Sequence, residues 1–210
     1  MTPRARTAVL ISGRGSNMSA LIEAARSPDF SAEIVLVLSD DPAAAGLSSA
    51  RNVGVAAEAI DFRAYGGKPG FEAALDTRLT SASVEIVCLA GFMRVLSPSF
   101  VERWRGRMLN IHPSLLPNLR GLNTHERALA QGLIEHGCTV HLVTAELDAG
   151  PILAQARVPV LPRDDVAALA ARVLEEEHRI YPRALDELAR SLRRLGDCER
   201  QARRRWRSDH

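Results

Sequence analysis

Short, continuous apolar runs recur along the chain, at residues 8–12, 34–38 and 84–90, and each is tied to a neighbouring segment of helical spacing. A strand with one wet face alternates apolar and polar residues, whereas a strand covered on both faces stays apolar throughout. The pattern therefore points to an α/β fold of Rossmann-like type, with a mostly parallel sheet and helices on both faces. The first run leads through GRGSN into a helix whose Met18, Leu21, Ile22 and Ala25 share one stripe. After the second run, Pro42 and Gly54 bracket a short helix, and a weaker strand follows at 55–60. A helix over 71–80 precedes the third run, which ends at Gly91. A short helix around Pro98 then leads to a further strand at 107–111.

The remainder departs from the parallel scheme. A helix over 124–133 is followed by apolar runs at 138–143 and 151–160, separated only by TAELDAG, which predicts an antiparallel addition to the sheet. A helix over 165–180 carries Val166, Leu169, Val173 and Leu174 on one stripe. Pro182 is expected to end it, with a second segment resuming beyond. At 210 residues the chain fits one domain, 1–189, with a basic C-terminal tail, 190–210, that is either a helical extension or disordered.

Charge and cysteine content narrow the functional classes. Net charge is +2, yet residues 190–210 hold eight Arg against Asp197, Glu199 and Asp209, leaving the rest of the chain slightly acidic. Such a tail can attract nucleic acid. With one aromatic, Trp206, interleaved, it reads instead as a solvated helix end, and no nucleic-acid partner is expected. Cys88, Cys138 and Cys198 are far apart and odd in number, so neither a disulfide framework nor a zinc site is indicated, and a cytoplasmic location is expected. No apolar run approaches the ~20 residues of a membrane span. Small-molecule substrates and a monomer or homodimer are the expected partnerships.

Chemistry concentrates in LNIHPSLLP, where Asn110 and His112 are two residues apart at the end of an apolar strand and so project from one side of the sheet. Pro113 stops the strand. An amide donor and a proton-transfer group at a strand's carboxyl end stand where open α/β sheets bind ligands. GRGSN lacks the third glycine of the dinucleotide fingerprint, since Met18 stands there, although Asp40 and Asp41 lie near the position of a ribose-binding acid. Gly15, Ser16 and Asn17 suit a single phosphate at a helix N-terminus, or form a plain tight turn. Asp148 in ELDAGP either caps a turn or orients an imidazole. Ser114 lacks a nucleophile-elbow context. His141 reads as a satisfied structural histidine, and His125, His136 and His178 show no paired ligand spacing, so no metal is expected.

The segments VLISGRGSN, LAGFMRVLSP, LNIHPSLLP, HGCTVHLVTAELDAGPI and EEEHRIYP, in this order, resemble the phosphoribosylglycinamide formyltransferases, folate-dependent enzymes of purine synthesis, from the first strand to Pro182. The resemblance implies formyl transfer from 10-formyltetrahydrofolate, as cosubstrate, to the amine of glycinamide ribonucleotide, without a metal or a covalent enzyme intermediate. It further implies Asn110 as oxyanion donor, His112 as general acid/base and Asp148 as the carboxylate tuning His112. Gly15, Ser16 and Asn17 would hold the substrate phosphate and Glu177 the ribose hydroxyls. Met93, Arg94, Val95 and Leu96, with Asn110 and the loop 144–148, would form the folate pocket. Lys68 stands where the family usually has an arginine, a point charge replacing a planar fork.

Departures from the family pattern are Arg120 and Asn123 in RGLNTH and Ala149 in Asp148-Ala149-Gly150. LLPNLRG is similar to the methionyl-tRNA formyltransferases, which however typically read NIHAS and carry a second, nucleic-acid-binding domain not expected here. Formyltetrahydrofolate deformylases carry an N-terminal regulatory domain, also not expected. The alternative readings are a formyltransferase for another amine, such as an aminoacyl-tRNA or amino sugar nucleotide, a formyltetrahydrofolate hydrolase, and a binding module that retains folate or a nucleotide. A dehydrogenase would require nicotinamide cofactor binding.

Overall fold

Sequence period becomes layer position most clearly in the first strand, β1 (Ala5–Ile11), where Val9 and Ile11 join one apolar core and Ala8 and Leu10 the other. Both faces of the strand are buried, which is why its sequence does not alternate. The structure, a computed structural model, describes residues 3–208, with side chains through Leu195. After β1 come α1 (Ser16–Ala24), β2 (Ala32–Ser39), α2 (Ala45–Asn52), β3 (Ala57–Ala59), α3 (Lys68–Ser81), β4 (Ile86–Leu89) and α4 (Pro98–Arg103). Then follow β5 (Met108–His112), α5 (Thr124–Ala130), β6 (Glu135–Leu142), β7 (Ile152–Pro159) and α6 (Val166–Ser208). The seven strands form one sheet in the order β3-β2-β1-β4-β5-β6-β7. Strands β1 to β5 run parallel, and β6 and β7 add antiparallel pairs.

The order reverses direction between β1 and β4, so the connections after these strands leave to opposite sides and open a crevice at their carboxyl ends. One core packs Met18 and Leu21 of α1 and Tyr181 and Leu185 of α6 against the sheet. The other packs Phe71, Leu75 and Leu79 of α3 with Trp104 beneath β4 and β5. Tyr181, fully buried, donates its hydroxyl to the carbonyls of Leu89 (2.9 Å) and Leu109 (3.3 Å) and so ties α6 to β4 and β5.

One expectation requires correction. Pro182 does not end the last helix: α6 runs through it to Ser208. Proline costs the interior of a helix one hydrogen bond, but Ile180, Tyr181, Ala184, Leu185 and Ala189 continue one buried stripe across it, and that packing carries the helix through the proline. The first residues after 189 touch the body of the fold. Leu192 packs on the core, Arg190 Nε donates to Ser31 Oγ at 3.2 Å, and Arg193 donates to the Ser31 carbonyl. The backbone of 190–208 belongs to α6, while the side chains of 196–210, Cys198 and Trp206 among them, lie outside the described residues. Among the described residues no helix is long and apolar enough to cross a membrane.

Candidate active site

Strand β5 carries both Asn110 and His112, and it ends at His112 because Pro113 has no N–H to continue the ladder. His112 Nε2 lies 3.0 Å from the Leu119 carbonyl oxygen, and its Nδ1 lies 3.5 Å from Asp148 Oδ2. A carbonyl only accepts, so Nε2 bears the hydrogen in this contact. The same Asp148 oxygen accepts the Gly121 N–H at 2.9 Å, which joins the loop after β5 to the loop after β6. His112 and Asp148 are both buried. Asp148 adopts a left-handed backbone (φ 50°), and a Cβ on Gly150 would collide with the Leu142 carbonyl, so the turn lies flush on β6. Asp148 therefore combines the two local readings of ELDAGP: it accepts a backbone N–H and faces an imidazole.

His141, read from sequence as structural, is indeed buried with both ring nitrogens engaged, but it lies within the same cluster. Its Nε2 is 3.2 Å from Asn110 Nδ2 and 3.7 Å from Asp148 Oδ1. The signal that could have revealed this is the antiparallel pairing of β5 with β6, which sets His141 directly opposite Asn110. His125 and His136 also meet, with Nε2 of His136 3.2 Å from Nδ1 of His125. Burial pushes both below the usual histidine range, His136 to about 4. Among the described residues no group of three or more metal-ligating side chains occurs.

The turn after β1 lines a cavity of about 260 Å³ built from residues 12–17 with Ala90, Gly91 and Met93, at the crevice between β1 and β4. Gly15 (φ 74°) precedes α1 and aims that helix's N-terminus into the cavity. Asn17 turns its amide inward: Nδ2 donates to Glu177 Oε2 at 2.6 Å, and Oδ1 is buried without a partner among the described residues. Burial pushes the Glu177 carboxyl up, against the opposing pull of the Asn17 donor. Gly15, Ser16, Asn17 and Glu177 are thus brought together.

A larger cavity of about 610 Å³ opens beside it, and its wall includes Asn110, His112, His141, Asp148 and the segment from Met93 to Leu96. Gly91 and Met93 line both cavities. The segment is anchored at each end: Met93 N–H donates to Ser12 Oγ at 2.8 Å, and Ser97 N–H donates to Glu72 at 2.6 Å. Met93, Val95, Leu122 and Leu147 make its mouth apolar. Arg94 Nε donates to the buried Asp40 at 2.6 Å while its guanidinium lies 4.2 Å from the Phe62 ring centroid. Lys68 is exposed at the start of α3 and does not line the cavity.

The formyl transferase family profile matches residues 5–185. The chain is 45% identical to the phosphoribosylglycinamide formyltransferase of Escherichia coli over 174 residues, covering 83% of this chain and 82% of that one. It is 49% identical over 194 residues to the human trifunctional purine biosynthetic protein adenosine-3, covering 92% of this chain but only 19% of that protein, so it spans about a fifth of the relative's length. The crystal structure of phosphoribosylglycinamide formyltransferase from Brucella melitensis superposes with a TM-score of 0.86 at 52% identity, covering 89% of this chain and 96% of that one.

Proposed function

The chain belongs to the formyl transferase family, and from that premise we propose that it transfers the formyl group of 10-formyltetrahydrofolate to the amine of glycinamide ribonucleotide in purine biosynthesis. The single observation that carries this reading is the adjacency of the two cavities through Gly91 and Met93, with Asn110 and His112 in the wall of the larger one. An acceptor anchored by its phosphate at Gly15, Ser16 and Asn17, and by its ribose at Glu177, would extend toward that pair. The larger cavity falls within the usual range for a drug-sized ligand, and its apolar mouth fits the aromatic part of a folate held along Met93, Arg94, Val95 and Leu96.

In this reading 10-formyltetrahydrofolate supplies the carbonyl carbon that the acceptor amine attacks. Asn110 Nδ2 donates to the formyl oxygen as negative charge grows on it, a contribution larger in the transition state than in the ground state. His112 works at Nε2, which exchanges the Leu119 carbonyl for the substrate while Nδ1–H stays on Asp148: Nε2 takes the proton of the incoming amine and returns it to the leaving nitrogen, directly or through water. Asp148 faces His112 Nδ1 and stabilises the positive charge that the ring carries between those two transfers. No protein nucleophile is involved in this scheme. Lys68 contributes only through long-range charge, being outside the cavity wall, and the domain proper extends past residue 189 to include Arg190, Leu192 and Arg193.

The test is to incubate the purified chain with 10-formyltetrahydrofolate and to follow tetrahydrofolate release with glycinamide ribonucleotide, with aminoacylated initiator tRNA, or with no acceptor. Release that depends on glycinamide ribonucleotide is expected. Release with tRNA alone would identify another amine as the acceptor, and equal release without an acceptor would identify a hydrolase.

A further inference from the structure

Asn110 on β5 and His141 on β6 are partners in the antiparallel register, the arrangement that brings side chains of neighbouring strands into contact. The pairing of β6 with β7 slips between Val140 and His141, and such irregularities re-aim the side chains at which they occur. His141 is 2% exposed. Its Nδ1 lies 2.9 Å from the Leu142 carbonyl oxygen, which only accepts, so the ring hydrogen is on Nδ1. Nε2 then presents a lone pair, and it faces Asn110 Nδ2, which only donates, at 3.2 Å. Burial pushes the His141 pKa down; the Leu142 carbonyl and Asp148 pull it up and His112 pushes it down.

The oxygen and nitrogen ends of an amide have nearly the same shape, so its hydrogen-bond partners decide which way it points. The contact with His141 is the one side-chain hydrogen bond of Asn110 among the described residues. We propose that His141 is the positioning residue of the oxyanion donor: its Nδ1–H tautomer, held by Leu142, commits one Asn110 Nδ2 hydrogen to His141 and leaves the other for the formyl oxygen. This rests on the reading of Asn110 given above. The Leu142 carbonyl orients the imidazole, the imidazole orients the amide, and the amide meets the substrate.

A double-mutant cycle separates this inference from the reading beneath it. Asn110→Ala is expected to lower kcat, and His141→Leu to lower kcat by about 10- to 100-fold, the scale of a misplaced catalytic group, with the KM for folate little changed. In the Asn110→Ala background His141→Leu should cost little more, and His141→Gln, whose amide oxygen can still accept, should recover much of the loss. An equal loss from His141→Leu in both backgrounds would overturn the proposal while leaving Asn110 in its role; full kcat in Asn110→Ala would remove the role of Asn110 itself. Should His141→Leu fold poorly, 15N spectra of the wild-type imidazole decide the matter, because an Nδ1–H neutral ring is expected at pH 7.5 and an Nε2–H or doubly protonated ring would overturn the proposal.

Discussion

Asn17 Nδ2 donates a 2.6 Å hydrogen bond to Glu177 Oε2, joining the first turn of α1 to α6 across 160 positions of sequence. Both side chains are buried and Asn17 lines the smaller cavity, so the residue proposed to hold the phosphate and the residue proposed to meet the ribose form one unit rather than two independent contacts.

That unit has a pH signature. Burial raises the Glu177 carboxyl above 4.5, so the native state binds this proton more tightly than the unfolded chain does. The stability it contributes is present below the unfolded pKa and is lost as pH rises through the folded one. Glu177→Gln keeps an acceptor for Asn17 and should raise the Tm at pH 7 relative to wild type, with a smaller difference at pH 4. Thermal melts at both pH values would show this, and a lowered Tm at pH 7 would contradict it.

Removing the imidazole with His112→Ala should lower kcat by about 10²- to 10⁴-fold, the usual scale of general acid–base catalysis. Asp148→Asn retains an acceptor for the Gly121 N–H and removes the charge facing His112. It should lower kcat by about 10²-fold while folate binding changes little. Steady-state kinetics beside a folate-binding titration checks both, and undiminished turnover in Asp148→Asn would take that residue out of the mechanism.

Gly150 is needed for close approach, because any Cβ there would meet the Leu142 carbonyl. Gly150→Ala should displace the turn that carries Asp148 and cost about 1–3 kcal/mol, as overpacking does. A Tm unchanged from wild type would mean that the turn relaxes freely.

We propose that the folded body ends beyond residue 189. Truncation after Leu195 retains Arg190, Leu192 and Arg193 with their contacts to Ser31 and the core, and should leave Tm and activity near wild type. Truncation after Ala189 removes them and should destabilise by about 1–3 kcal/mol, of which burial of the Leu192 side chain is one part. Equal melting of the two truncated chains would refute the distinction.

His136 has a folded pKa of about 4, well below 6.5, so it is neutral in the native state and gains a proton more readily on unfolding. Stability from this group is present above pH 6.5 and is lost as pH falls toward 4. Replacing it with glutamine should flatten the fall in stability over that window by up to about 1.4 kcal/mol per pH unit. Denaturant unfolding at pH 4.5, 5.5 and 7 is the measurement, and identical slopes would exclude His136 as a contributor.

Period and punctuation are local properties, and what depends on them was legible early. Val9 and Ile11 against Ala8 and Leu10 announced a strand buried on both faces, and the spacing of Asn110 and His112 with Pro113 beyond them announced a pair at a strand's end. Pro182 misled because its local cost is real, and the buried stripe from Ile180 to Ala189 outweighs it only once α6 is laid on the sheet.

The sequence by itself determined the fold class, the strand-to-helix alternation, the phosphate-suited turn at Gly15 and the chemical identity of Asn110, His112 and Asp148, because composition and spacing over a few residues suffice for each. Only the tertiary structure decided that β6 sets His141 against Asn110, that Asn17 bonds Glu177, and that Lys68 stays outside the cavity wall. The two contacts join residues 31 and 160 positions apart, and the place of Lys68 outside the cavity wall likewise depends on distant elements. Such relationships follow from strand order, register and helix placement, which the energy of the whole packed sheet selects and no local period encodes.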